Sequence, residues 1–298
     1  MSSSPNDRPA DAAWTVGKII DWTTAHLKKH GSETPRLDAE ILLAQARNCP
    51  RIQLYVHYHE VLTDDERTVM RDLVRRRAQA EPVAYLVGHR EFFGLDFRVT
   101  PDVLIPRPET ETLVLELLAA ARSYDMPRIL DVGTGSGCIA IAAAVNAPGA
   151  AVTAIDISAP ALEIARANAS HHEVAGRVTF LEGDLFAPLG ANAAFDIIVS
   201  NPPYVADGEM QKLPADIRQH EPPHALRAGP EGLDVITLLV AGARAHLAPK
   251  GSLLIEISPE QSTRVVALID ETKEYEPARV IKDASGSERV VASRCRSQ

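Results

Sequence analysis

From Arg128 onward, short apolar runs alternate with stretches of helical period, and few folds accept that pattern. The runs are "RILDV", "AVTAID", "RVTFLEG", "FDIIVS" and "GSLLIEI". Each is short and apolar, and most are rich in β-branched residues, so each reads as a buried strand. Helices fit between and after them at about 137–147, 159–170, 232–246 and 260–271. This alternation means βαβ units, hence a mostly parallel sheet with helices on both faces. The tail "ARVIKDASGSERVVASR" is different: two strands flank an Asp-Ala-Ser-Gly turn, so an antiparallel hairpin closes the sheet edge. The expectation for 109–298 is an α/β, Rossmann-like domain with seven strands, opened by a helix at roughly 109–122.

The first third reads as helices. "WTVGKIIDWTTAHLKKH" places Val16, Ile19, Ile20 and Thr23 on one face. Residues 36–47 repeat the pattern with Leu37, Ile41, Leu42 and Ala46. Thr63 and Glu66 have capping-box spacing ahead of Val69, Leu73 and Val74. A small helical bundle is therefore expected over 14–87, after a disordered tail at 1–13. Residues 88–108, with aromatics near a glycine and the alternation Leu95, Phe97, Val99, predict a β-hairpin linker.

Composition narrows the function classes. The chain has 298 residues, enough for two cores, with 45% hydrophobic and 24% charged residues, as in soluble proteins. No apolar run approaches the roughly 18 residues of a membrane span, and the N-terminus lacks the apolar stretch of a secretory signal. Cys49, Cys138 and Cys295 are too scattered for a disulfide framework or a zinc site, so a reduced, cytoplasmic protein without a metal is expected. The net charge of -9 offers no bulk attraction to a phosphate backbone, which argues against a direct nucleic-acid partner. A monomer is expected.

"LDVGTGSGCIAIA" carries the first chemical signal. A strand ends at Asp131-Val132, and Gly133-Thr134-Gly135-Ser136-Gly137 opens a helix. Glycines let the backbone turn sharply and let a ligand approach. The next strand ends at Asp156, an offset that suits the two hydroxyls of a ribose. A dinucleotide fingerprint would place Gly or Ala where Cys138 stands, so that frame fails. The G-x-G-x-G frame after an acid resembles motif I of class I S-adenosylmethionine (AdoMet) methyltransferases, whose glycines accommodate the amino-acid end of AdoMet with the acid near its ammonium. An unliganded tight turn is the plain alternative. A third segment, "LEGDLF", resembles the adenine side of the same superfamily, with Asp184 as acceptor for the exocyclic amine and Leu185 over a ring face. Taken alone it is also a common Gly-Asp turn.

"IIVSNPPYVA" carries the second. A strand cannot run through two prolines, so it stops and Asn201-Pro202-Pro203-Tyr204 forms a stiff turn at its end. That end is where open α/β sheets bind ligands. Methylating a planar nitrogen is difficult because its lone pair is delocalised. The Asn201 side-chain oxygen and the Pro202 carbonyl can each accept one N–H of such a group, and the Tyr204 ring can stack on it. Rigidity fixes these positions beforehand. The same turn without chemistry is the alternative. Asn/Asp/Ser-Pro-Pro-Tyr is the motif of amino-group methyltransferases acting on adenine, cytosine or glutamine.

Four stretches narrow the choice: "REFFGLDFRVTPDVLIPRPETE", "DVGTGSGCIAI", "SNPPYV" and "HEPPHALRAGPEGLDV". Together they closely resemble the peptide-chain release factor N5-glutamine methyltransferases, the PrmC/HemK family, over about residues 15–294. The resemblance implies methyl transfer from AdoMet to the glutamine side-chain amide in the Gly-Gly-Gln motif of class I release factors. It implies that Gly133, Gly135, Gly137 and Asp156 bind AdoMet, that Asn201, Pro202 and Tyr204 bind the target glutamine, and that the helical domain recognises substrate. Leu185 stands where the family often has an aromatic, and Glu231 where Asp is usual. The rivals are a nucleic-acid adenine methyltransferase and a non-catalytic module that binds translation factors.

Other features have plainer readings. His57 and His59 lack a carboxylate or cysteine cluster and read as surface or packing residues. His171 and His172 read as solvated near a helix end. Arg75-Arg76-Arg77 reads as a solvated face, with an RNA or acidic partner as the alternative. Arg107 and Glu109 in "PRPETE" read about equally as ordering a lid beside the cofactor and as punctuation before a helix.

Overall fold

The computed structural model describes residues 13–296, so the tail expected at 1–13 lies, Ala13 apart, outside the described residues. The chain forms two compact units, one comprising residues up to Val87 together with 215–220, the other Gly88–Pro214 with the rest of the chain from Glu221.

The helical unit contains α1 (Val16–Lys29), α2 (Pro35–Arg47), α3 (Arg51–Val56), α4 (Asp64–Ala78) and α5 (Val83–Val87). Val16, Ile20, Leu27, Leu42, Leu43, Leu54, Leu73 and Val74 form its core. The capping box forms: the Glu66 amide donates to Thr63 Oγ1 at 3.2 Å and the Thr63 amide to Glu66 Oε2 at 2.7 Å. Two expected faces are rotated. Leu37 is 39% exposed and Val69 46% exposed, while Ala39 and Met70 turn inward. The cause on α2 is a pair of buried acids. Asp38 accepts from Ser32, Thr34 and Arg77, and Glu40 accepts from Arg36, Arg51 and Tyr55. Buried charges need such partners, and these pull the helix round. The arginine triplet is spent inside the unit: Arg75 pairs with Asp72, Arg76 with Glu81 and Arg77 with Asp38.

The second unit opens with a hairpin, β1 (His89–Phe92) and β2 (Leu95–Arg98), with Phe92 and Phe97 buried. A 3-10 turn, Pro108–Thr110, leads into α6 (Glu111–Ala121). Then follow β3 (Arg128–Val132), α7 (Cys138–Asn146), β4 (Ala151–Asp156), α8 (Ala159–His171), β5 (Val178–Glu182), β6 (Phe195–Ser200), α9 (Ala215–His220, the piece grouped with the helical unit), α10 (Asp234–His246), β7 (Leu247–Glu256), α11 (Ser262–Glu271), β8 (Arg279–Lys282) and β9 (Glu288–Arg294). The strands form one seven-stranded sheet in the order β5-β4-β3-β6-β7-β9-β8. All pairs are parallel except those of β9, which runs antiparallel to both neighbours. The terminal hairpin thus supplies the edge strand β8 and inserts the last strand between it and β7.

Apolar residues of α6 and α7 cover one face of the sheet, and those of α10 and α11 the other. Burial on both faces explains why the central strands read as unbroken apolar runs. Strand order reverses between β3 and β6, so a crevice opens at their carboxyl ends. Among the described residues, no helix is long and apolar enough to cross a membrane.

Candidate active site

Between β3 and α7 the chain turns through three glycines of positive φ: 76° at Gly133, 55° at Gly135 and 81° at Gly137. They do different work. A Cβ added to Gly133 or Gly135 would meet nothing within 4 Å, because both face a cavity. A Cβ on Gly137 would approach Ile141 Cδ1 to 2.9 Å and Ala165 Cβ to 3.1 Å. The first two glycines leave room for a ligand, and the third seats α7 against α8.

Carboxylates hold this loop from both sides. Asp131 is fully buried, and its Oδ2 accepts from Thr134 Oγ1 at 2.6 Å and from the Ala140 amide at 3.2 Å. Its Oδ1 is buried without a partner, and burial pushes the carboxyl up to about 7. Asp156, at the tip of β4, accepts from the Gly135 amide at 2.7 Å and from the Ser158 amide at 2.9 Å. Each Asp156 oxygen has lone pairs to spare for a further donor. Asn168, 1% exposed, donates to the Ser136 carbonyl at 2.8 Å and to the Arg98 carbonyl at 3.1 Å, tying the loop to the hairpin.

The cavity is about 240 Å³. Of the residues expected at a cofactor, Gly133, Gly135, Asp156, Asp184, Leu185 and Asn201 line it. Asp131, Thr134, Ser136 and Gly137 do not: they form the underside of the loop. Leu185 lies in the left-handed region at φ 47°, a strained setting for a branched side chain that holds it at the wall. Pro202 and Pro203 line the same space. Tyr204 is half-buried against the apolar core beside α10 and is not part of the wall; burial, and then the nearby Glu256, push its phenol up to about 12. A larger cavity of about 710 Å³ lies in the helical unit, among Trp14, Trp22, His26, His30 and Arg71. It has no glycine turn and no carboxylate, so the smaller cavity is the candidate site.

Several partners of the Asn-Pro-Pro-Tyr turn escaped the sequence. Ser200 Oγ donates to the Val132 carbonyl at 2.7 Å, locking the end of β6 to β3. Asn201 Nδ2 donates to Thr110 Oγ1 at 3.2 Å. Gln261 Nε2 donates to the Tyr204 carbonyl at 2.9 Å and to the Gly232 carbonyl at 3.0 Å. A Cβ on Gly232 would sit 2.4 Å from the Tyr204 oxygen, so only glycine lets the two segments cross. Backbone bonds between Val205 and both Leu226 and Ala228 continue that seam. Arg107 pairs with Glu221, whose side chain is 1% exposed. The stretches "IPRPETE" and "HEPPHALRAGPEGLDV" therefore meet around the turn. Thr110 lies within the stretch "IPRPETE", and Glu256 is an acid inside the apolar run "GSLLIEI". Gln261 and Asn168 left no local signal.

A cavity with a glycine cradle, three lining carboxylates (Asp102, Asp156, Asp184) and apolar walls (Leu104, Ile155, Leu185) fits a nucleotide-type ligand that carries positive charge. The unpartnered Asp131 oxygen points the same way, since a nearby cation offsets a buried carboxylate.

The PrmC N-terminal domain family matches residues 18–88, and the methyltransferase small domain family matches residues 109–229. A release factor glutamine methyltransferase of Rhodopirellula baltica is 44% identical over 98% of this chain and 99% of its own. One from Geobacter sulfurreducens is 42% identical over 94% of this chain and 97% of its own. Solved structures share the fold at lower identity. A 16S rRNA methyltransferase of T. thermophilus, in complex with AdoMet and guanosine, has a TM-score of 0.52 at 21% identity, covering 70% of this chain and 50% of that one. A methyltransferase of Pyrococcus furiosus has a TM-score of 0.50 at 19% identity, covering 70% and 91%. With such identity along nearly its whole length, and with the glycine loop and the Asn-Pro-Pro-Tyr turn at one crevice, the chain belongs to the release factor glutamine methyltransferases.

Proposed function

We propose that the protein methylates the side-chain amide nitrogen of the glutamine in the Gly-Gly-Gln motif of class I release factors, with AdoMet as methyl donor. The observation that carries this is the meeting of Gly133, Gly135 and Asp156 with Asn201 and Pro202 in one cavity of a chain of this family. AdoMet supplies an electrophilic methyl group on a sulfonium. Gly133 and Gly135 leave space for its amino-acid end, and Asp131 and Asp156 bias the site toward its positive charge. Asp156 is suited to the ribose hydroxyls, and Asp184 and Leu185 to the adenine.

On the acceptor side, Asn201 Oδ1 and the Pro202 carbonyl each accept one N–H of the target amide. Two acceptors hold that nitrogen toward the methyl group and favour its pyramidal form, in which the lone pair is free to attack as the sulfur–methyl bond breaks; S-adenosyl-L-homocysteine is left and the surplus N–H proton passes to water. The prolines keep both acceptors in place. The Tyr204 ring is assigned to stacking on the planar group, and Gln261 holds the Tyr204 backbone carbonyl. The helical unit is assigned to substrate recognition, which its open groove of aromatic and basic side chains supports.

The test is radiolabelled AdoMet with purified protein and three acceptors: a class I release factor, the same factor with the glutamine replaced, and duplex DNA. Label is expected in the first alone. Transfer to DNA adenine would overturn the assignment in favour of a nucleic-acid methyltransferase.

A further inference from the structure

The proposed chemistry uses Asn201 Oδ1 as an acceptor, so that oxygen, rather than the amide NH2, must be kept turned to the substrate. The two ends of a carboxamide have almost the same shape, so packing barely distinguishes them. The choice is made by hydrogen bonds on the far side. There Asn201 Nδ2 donates to Thr110 Oγ1 at 3.2 Å. A hydroxyl alone would not decide the matter, because it can donate or accept with equal ease.

Thr110 is 2% exposed, at the junction of the 3-10 turn and α6. The carboxyl of Glu256, the last residue of β7, lies beside the same hydroxyl, close enough to act on it. The parallel register pairs Ser200 with Ile255, so Asn201 and Glu256 are the next step out on neighbouring strands. Glu256 is 1% exposed, and its Oε2 has no partner. Nearby guanidiniums are engaged elsewhere: Arg107 with Glu221, Arg289 with Asp283. Among the described residues no ion pair compensates Glu256. Core packing alone does not call for a carboxylate there, since an uncompensated buried charge is costly and an apolar side chain of similar size is not.

We propose that Glu256 and Thr110 are positioning residues that fix the polarity of the Asn201 amide, through a chain running from Glu256 carboxylate to Thr110 hydroxyl to Asn201 NH2. In its ionised form Glu256 only accepts, so it takes the single hydroxyl proton of Thr110, and the variants are compared at pH 8, where that form prevails. The hydroxyl oxygen can then only accept, so Asn201 must offer its NH2. The Asn201 oxygen is left for the substrate. A flipped amide would set NH2 against the N–H of the target and leave Thr110 without its donor. The inference rests on the reading of Asn201 as the acceptor for the target amide.

The experiment compares full-length Thr110→Val, Thr110→Ser, Glu256→Gln, Asn201→Ala and the Asn201→Ala/Thr110→Val double variant. AdoMet affinity is read by calorimetry, and kcat and KM are read separately with a release factor as substrate. Valine keeps the shape and removes the hydroxyl, and serine restores it. Glutamine can turn either end toward Thr110, which unlocks the polarity. Loss of orientation alone would halve kcat, and leaving the Asn201 NH2 unpaired and unanchored against valine should bring the fall to roughly tenfold or more, with AdoMet affinity changed less than about twofold. Thr110→Ser should stay within about threefold of the parent, and Glu256→Gln should fall with Thr110→Val though less far. In the Asn201→Ala background Thr110→Val should add nothing, because it acts only through Asn201. If Asn201→Ala is inactive while Thr110→Val keeps near-parent kcat, or if Thr110→Ser loses as much as valine, the relay is wrong and the acceptor role stands. If Asn201→Ala itself keeps the parent rate, the acceptor reading fails, and the relay with it.

Discussion

Asn201 and Asp156 line the same cavity yet should fail in different ways. Asn201 does not brace the glycine loop; its side chain donates to Thr110. Asn201→Ala is expected to lower single-turnover methyl transfer roughly a hundredfold to a thousandfold, the cost of one preorganised active-site contact, while AdoMet affinity stays within a few-fold. Asn201→Asp keeps an acceptor oxygen but sets a carboxylate against the Thr110 oxygen. Its rate should lie above that of Asn201→Ala, and a rate at or below alanine would mean that acceptance alone does not carry the effect. Asp156→Ala should instead weaken AdoMet binding about tenfold to a hundredfold, read by calorimetry. It should also lower the melting temperature, because Asp156 holds the Gly135 and Ser158 amides. Unchanged affinity in a folded variant would remove Asp156 from the cofactor site. At this scale the sequence showed which residue types stood at strand ends. It did not show that Asp131 turns beneath the loop, since chain spacing does not say which side of a turn a carboxylate takes.

The glycine loop allows a test between neighbouring positions of one element. Gly135→Ala and Gly137→Ala both place a Cβ at positive φ, which costs about 1–2 kcal/mol. Only at Gly137 does that Cβ meet protein, Ile141 and Ala165, so about 1–3 kcal/mol of overpacking adds there. Chemical denaturation should therefore rank Gly137→Ala as the less stable. Calorimetry should rank Gly135→Ala as the weaker binder of AdoMet relative to its remaining folded fraction, because its methyl enters the cavity. The reverse ranking would mean that the roles of the two glycines are exchanged. The element boundaries were legible: "RILDV", "AVTAID" and "FDIIVS" coincide with β3, β4 and β6. The faces of α2 and α4 were less so, because hydrophobic period assumes that acids point outward, and Asp38 and Glu40 do not.

For the whole molecule, two buried acids set an unusual pH dependence. Burial raises both Asp131 and Glu256 to about 7. In the unfolded chain they titrate near 4, so between about 4.5 and 7 the folded state binds more protons than the unfolded one. Stability therefore falls as pH rises through that window, by on the order of 3 kcal/mol per group once both are ionised. Asp196 and Asp283 are held low, Asp283 at about 2, so the stability they add is lost only on acidification below the ordinary carboxylate range. His26, lowered mainly by burial, works against the trend, since on acidification its unfolded form takes up a proton before the folded one and stability falls. The net expectation follows the two acids: urea unfolding without AdoMet should show lower stability at pH 8 than at pH 5.5. Glu256→Gln should flatten that slope and raise stability at pH 8, even as it costs turnover. A stability that rises from pH 5.5 to 8 would mean that these carboxyls are not buried as described.

The alternation of apolar runs and helical stretches sufficed for the α/β class, the parallel sheet and the closing hairpin, because period and turn chemistry are local properties. The glycine loop and Asn-Pro-Pro-Tyr were legible for the same reason: each is a contiguous stretch whose backbone needs particular residues. Contacts between distant segments were decided only by the tertiary structure. Thr110 meets Asn201 across 91 positions, Gln261 reaches the Tyr204 carbonyl across 57, and Arg107 finds Glu221 across 114. Those pairings depend on strand order and register, and no spacing along the chain encodes them. The sequence by itself established which groups the site has, and the packing of β3, β6 and β7 side by side decided which way they face.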